Sequence, residues 1–325
     1  LGIGESLTLR TFDPLSLEPA EVVVQAERKE PIEHRGAPVE AVVLSMAYGG
    51  MSVTAWMDAE GRVLRQQTPF GWTLEACTPE EAMRSSAGAE QDLLSALSVP
   101  VAGTLANPRA TERWRLRFEG EGLDGVSWSS ARQTVLDSGE DFRVLDVRAE
   151  RFPETAGGER PPEAALQPEP FIQSDDPNIR ALAARITEGL GSDPEKARAL
   201  AGWVDREIAN DITVSLPSAV DVLQMRRGDC NEHTTLFVAL ARAAGLAAEI
   251  RVGLLYHEGA FYYHAWPAVH LGRWVEMDPT LGQTAVDAAH IGLLRGGLQE
   301  QLRLLGLLGR MRAEILPPAE EEGEG

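Results

Sequence analysis

A chain of 325 residues exceeds one average domain and can bury a large core without disulfide or metal staples. Its 43% hydrophobic and 25% charged residues exclude collagen, coiled coil and wholesale disorder. Thirty Lys and Arg against fifty Asp and Glu leave a net charge of −20, which repels phosphate backbones and anionic membrane surfaces and argues against nucleic-acid binding.

Up to about residue 150 the apolar pattern has period two, as in 22–24, 39–46, 51–57 and 142–147, which predicts a β-rich domain over 1–150. Asp58, Ala59, Glu60 and Gly61 form a hairpin-type turn between two such runs. Thr78 with Glu81 makes a capping box that starts one or two short helices reaching Leu97. Between 151 and 177, Pro153, Pro161, Pro162, Pro168 and Pro170 alternate with Gly and Glu, which predicts a linker.

Beyond it the period becomes 3.6. Ile179, Leu182, Ile186 and Leu190 form one stripe, and Leu200, Trp203, Val204 and Ile208 form another, separated by a capping box at Ser192 and Glu195. A third helix starts near Cys230, carries Leu236, Phe237 and Leu240 inward, and stops at Gly245. Alternating strands follow through Ile250, Val252 and Leu254, then Tyr262, His264 and Trp266, then Trp274, Glu276 and Asp278. A body over 178–316 and an acidic, solvated tail over 317–325 complete the chain. No run of 18 apolar residues occurs, so no membrane insertion is expected of this chain. It begins at Leu1 and not at Met, so an export signal or anchor upstream is a possibility that leaves localisation open.

The two cysteines, Cys77 and Cys230, allow one bridge or two free thiols, one of them reactive. A thiol attacks a carbonyl as the thiolate, so a catalytic cysteine needs its pKa brought down from about 8.5 by a helix N-terminus and a nearby imidazolium. Gly228-Asp229-Cys230 supplies the first, with Gly228 turning the chain and free helix amides also able to hold an oxyanion. His264 supplies the imidazole. A three-residue loop of His270, Leu271 and Gly272, with Gly272 at positive φ, would pair Val269 with Arg273 and set His264 opposite Asp278.

In these segments, Gly228-Asp229-Cys230-Asn231-Glu232-His233-Thr234, His264-Ala265-Trp266 and Trp274-Val275-Glu276-Met277-Asp278-Pro279-Thr280, the chain resembles the transglutaminase-like superfamily in its bacterial branch. The resemblance covers about residues 215–295 and includes Gln283 and the stretch from Asp287 to His290. It implies an α+β, papain-like core of helices packed on an antiparallel sheet, with Cys230 as nucleophile, His264 as base and then acid, and Asp278 orienting the imidazole. No cofactor is implied. The aromatic oxyanion donor of animal transglutaminases and a calcium loop have no counterpart, and Gln224, six residues before Cys230, is a weak analogue of a papain-type oxyanion glutamine.

Plainer readings stand beside these. Cys77 reads as a half-buried packing residue, and His233, on the helix face of Cys230, as structural. His290 with Asp287 is a candidate pocket wall, and Trp266 is placed beside the cleft. Cys230, His264 and Asp278 could also offer three zinc ligands, but no H-E-x-x-H or C-x-x-C pairing accompanies them. The expected function is acyl transfer on peptide or glutamine amides, hydrolytic in preference to crosslinking, with a protein or peptide as partner. An inactive scaffold is the reading from another class.

Overall fold

The structure, a computed structural model, describes residues 1–13, 18–48, 51–67, 73–82, 98–211, 218–297, 300, 301, 304, 307 to 311 and 312–317. The chain divides into two compact units, Leu1–Leu93 and Leu94–Gly325.

The first unit is an antiparallel meander in sequence order: β1 (Ser6–Asp13), β2 (Glu18–His34), β3 (Ala37–Tyr48), β4 (Met51–Met57), β5 (Val63–Gln67) and β6 (Thr73–Glu75). The β4–β5 turn is the one expected at Asp58, whose carboxylate accepts from Glu60 N and Arg62 N. Small clusters around Ala26, Leu44 and Ala55, and around Ile32, Ala41 and Leu64, are its buried apolar centres. Thr78 and Glu81 form their reciprocal cap and start α1 (Pro79–Ala82). The helices expected on to Leu97 lie outside the described residues.

The second unit begins earlier than the sequence pattern suggested. After β7 (Ser98–Ala102), β8 (Arg113–Gly120), β9 (Gln133–Ser138) and β10 (Phe142–Arg148), the stretch expected as a linker is pinned to the same body. Buried Arg242 donates to Gln167 O and pairs with Glu169 at 2.7 Å, and Ala165 and Ile172 are buried. Proline denies this stretch regular structure without denying it anchors. The division at 150 therefore gives way to one at 93, because 98–148 pairs with strands that follow.

Helices α2 (Pro177–Ile186) and α3 (Asp193–Glu207) carry most of the two predicted stripes, with Leu190 beyond the end of α2 and Ile208 at the C-cap of α3, and α3 starts behind the Ser192–Glu195 box. A two-residue strand β11 (Ala209–Asn210), helix α4 (Ala219–Met225) and β12 (Arg227–Gly228) lead into the central helix α5 (Cys230–Ala243), ended by Gly245 at φ 82°. Then come β13 (Ala248–His257), β14 (Ala260–His270), β15 (Trp274–Glu276), β16 (His290–Arg295) and β17 (Met311–Leu316).

The sheet order is β16-β13-β14-β7-β17-β8-β10-β9, with β15 also on β14. Its end strands are linked through a side chain: Gln133 accepts from Gly292 N at 2.6 Å and donates to Gly292 O at 3.0 Å. Two strands share the edge of β14 opposite β13. β7 pairs with residues 260–262 and β15 with residues 268–270, so among the described residues the edge is unpaired between them. The first turns of α5 meet this gap, where Thr234 Oγ1 donates to Ala265 O at 3.1 Å. That contact sets the helix start beside His264.

Candidate active site

Helix α4 ends at Arg226 in the left-handed region, φ 58°, and the chain reaches α5 through Gly228 and Asp229. Asp229 caps the helix: its side chain accepts from Asn231 N at 2.8 Å and from the N3 amide, while Glu232 reaches back to Asp229 N at 2.9 Å. Gly228 is not at positive φ, so it is not the sharp turn expected. It is glycine for space, since a Cβ there would lie 2.2 Å from Glu232 Cβ. Gly228→Ala is expected to displace Glu232 from the cap, to cost about 1–3 kcal/mol of stability in thermal or denaturant unfolding, and to slow alkylation of Cys230.

Cys230 is the first residue of α5, half-buried and unbridged. Cys77 is also free and is exposed, not half-buried as expected. His264, 5% exposed, places Nε2 2.8 Å from Asp278 Oδ2, and Cys230 lies near enough to favour the charged form of its ring. With Nε2 facing the carboxylate, Nδ1 is the nitrogen left for the sulfur. The structure thus brings the three sequence-derived residues together.

It does so in a different register. The loop is Leu271, Gly272 and Arg273, with Gly272 at φ 85° as expected, and His270 pairs with Trp274 where Val269 with Arg273 was expected. The change is an even one of two positions, so it keeps every side chain on its predicted face. Pairing ends at Ala268 with Glu276, and Asp278 reaches His264 from beyond the strand end.

Asp278 is fully buried and saturated with donors. Oδ1 accepts from Thr280 N at 2.9 Å and Leu281 N at 3.3 Å, and Oδ2 accepts from His264 and, at 3.1 Å, from His290. Burial opposes its charge, but His264 and His290 outweigh burial and hold the carboxyl well below the usual range. Burial likewise opposes an imidazolium at His264, yet Asp278 and Cys230 raise it to about 9. Burial and neighbouring Glu232 push Asp229 up to about 7.

Trp266 stacks on the His264 ring, with centroids 5.7 Å apart and an interplanar angle of 24°. It is fully buried, so it backs the imidazole and does not line the cleft as expected. Its Nε1 donates to Glu276 Oε2 at 2.9 Å, and Glu276 pairs with Arg132 at 2.6 Å, both buried. His233 has its ring nitrogens near Asp229 O at 2.8 Å and Ile208 O at 3.1 Å, the position of a brace between α3 and α5. Gln224 is exposed on α4. Tyr263 donates to Asn231 Oδ1 at 2.8 Å, next to Cys230 in the chain.

His264 Nε2, Asp278 Oδ2 and His290 Nε2 lie within 4.8 Å of one another, a spacing that could hold a metal ion. Both imidazoles, however, are at hydrogen-bond distance from the one carboxylate oxygen, so these atoms satisfy one another as they stand. The contact of His290 with Asp278 is what the sequence reading missed. Its signal was the Asp287–His290 spacing just after the aspartate, one helical turn in sequence but here a bend closed by a 2.9 Å hydrogen bond.

Residues 180–279 match the family model described as the Transglutaminase-like superfamily. No curated protein matches the chain. Among solved structures it is similar to a candidate cysteine protease from Cytophaga hutchinsonii, at 14% identity over 65% of this chain and 88% of that one, TM-score 0.42. It is also similar to the periplasmic domain of TgpA from Pseudomonas aeruginosa, at 17% identity over 60% and 95%, TM-score 0.40. Cys230, His264 and Asp278 all lie within the stretch 180–279 that matches the transglutaminase-like superfamily.

Proposed function

We propose that this protein cleaves peptide or glutamine amides hydrolytically through a thioester on Cys230. The observation that carries the reading is His264 hydrogen-bonded to Asp278, with Cys230 beside it at a helix start. The Cys230 thiolate attacks the amide carbonyl and His264, as imidazolium, protonates the departing amine. Water then gives a proton to His264 and attacks the thioester, which frees the thiolate and the carboxylic acid, whose proton passes to the solvent.

The cap narrows the choice of oxyanion donor. Asp229 takes the amides of Asn231 and Glu232, which leaves Cys230 N as the helix-start amide able to face a developing oxyanion. Hydrolysis is favoured because half-buried Cys230 leaves the thioester open to water.

The test offers a glutamine-containing peptide with and without a primary amine and follows ammonia, cleaved peptide and conjugate by mass spectrometry. Cleavage or ammonia without conjugate is expected, and dominant conjugate would make the enzyme a crosslinker. The rate should fall as pH rises through about 9, where His264 loses the proton it donates. A thiol-alkylating probe that labels Cys230 no faster than Cys77 at neutral pH would favour the inactive scaffold.

A further inference from the structure

Each ring nitrogen of His290 faces a carboxylate: Nδ1 is 2.9 Å from Asp287 Oδ1 and Nε2 is 3.1 Å from Asp278 Oδ2. An ionised carboxylate can only accept, so both nitrogens must carry protons and the ring is an imidazolium. His290 is 0% exposed, and a buried cation persists only where anions and hydrogen bonds compensate it. Asp287 is itself held, by Gln283 Nε2 at 2.8 Å, Ala289 N at 2.9 Å and Arg109 at 3.0 Å. The charges therefore alternate inward from the surface: Arg109, Asp287, His290, Asp278, His264.

We propose that His290, clamped between Asp287 and Asp278, is a positioning residue that stays protonated throughout turnover and holds the Asp278 carboxylate on His264. The proposal rests on the acyl-transfer reading above. With Thr280 N and Leu281 N on Oδ1 and two imidazoles on Oδ2, the carboxylate has no free lone pair toward which to rotate. The positive charge of His290, its ring centroid 5.7 Å from that of His264, also tempers the pull of Asp278 on the proton of His264. That proton has to leave with the amine in the first half of the reaction, so the second cation favours its release.

Arg132 donates to His290 O at 3.3 Å and is neutralised by Glu276, and Trp266 presents an uncharged ring 5.2 Å away. Burial alone would lower the His290 pKa, but Asp278 and Asp287 reverse that and raise it.

The test combines nitrogen-15 NMR of histidine-labelled protein with kinetics of His290→Gln and Asp287→Asn. The His290 resonances, assigned by their loss in His290→Gln, should show both nitrogens protonated and unchanged between about pH 5.5 and 8.5. In His290→Gln, kcat should fall at least about tenfold, part of the roughly 10²–10⁴ that a well-placed acid–base group contributes, with KM little changed. The basic limb should move to higher pH. Asp287→Asn, which keeps the ring but removes one of its two anions, should lower kcat by less, and guards against a folding failure of the first variant. A neutral His290 ring, one that titrates in this range or changes on adding chelator, or an unmoved basic limb with wild-type kcat, would overturn the proposal. If instead wild-type Cys230 neither turns over nor alkylates faster than Cys77, the acyl-transfer reading fails, and the NMR result still reports on the clamp.

Discussion

Cys230→Ala should bring turnover to background, a loss of at least about 10⁴-fold, and His264→Ala should lose about 10²–10⁴-fold. The double variant should be no worse than Cys230→Ala alone. His264 acts only through the sulfur and the groups bound to it, so its contribution disappears with the nucleophile. The measurement is kcat/KM on a peptide amide for the three variants, with unfolding curves to show that each is folded. Losses that multiply in the double variant would place His264 in some other role. Fully retained activity in Cys230→Ala would end the thioester mechanism.

Arg132→Met is expected to be among the most destabilising single changes in the second unit. It removes the cation from a buried pair and leaves Glu276 with Trp266 Nε1 and the more distant charge of Arg251. Breaking one side of such a pair costs about 3–5 kcal/mol, roughly a 10 °C fall in melting temperature for a body of this size. The pH dependence has a definite sign. Burial would raise the Glu276 pKa, but Arg132 and Arg251 hold it down at about 2, so its folded value lies below its unfolded one. The stabilisation is present above about pH 4.5 and is lost as pH falls toward 2. Melting curves of both proteins should therefore lie far apart at pH 7 and converge only as pH approaches about 2. Separation as wide at pH 2 as at pH 7 would mean that lost packing, and not charge, explains the effect.

Local signals in the sequence read well. The capping boxes at Thr78 and Ser192, the stop at Gly245 and the positive φ of Gly272 are short-range matters of sterics and hydrogen bonding, and all four are where the pattern puts them. Cys230, His264 and Asp278 were legible because a helix start, a strand face and a turn each leave a mark within a few residues. Tertiary pairings leave no such mark. Period two in 98–148 shows that strands exist but not which sheet they join, and that is why the division fell at 150. A three-residue loop can be centred one position either way, hence the register difference of two. The pair of Arg132 and Glu276 spans 144 residues, and His290 meets Asp278 because β16 returns beside β13, with His290 opposite Leu255.

The placement of β17 governs when the second unit can fold. That strand lies between β7 and β8, parallel to one and antiparallel to the other, and comes last in the chain. On the ribosome, the half-sheet that carries His264 and the half-sheet of β8, β10 and β9 both emerge with an unsatisfied edge, and among the described residues no strand ladder joins those edges until 311–316 has cleared the exit tunnel. Closure is therefore long-range and late, the situation in which nascent β proteins are slow and exposed to self-association.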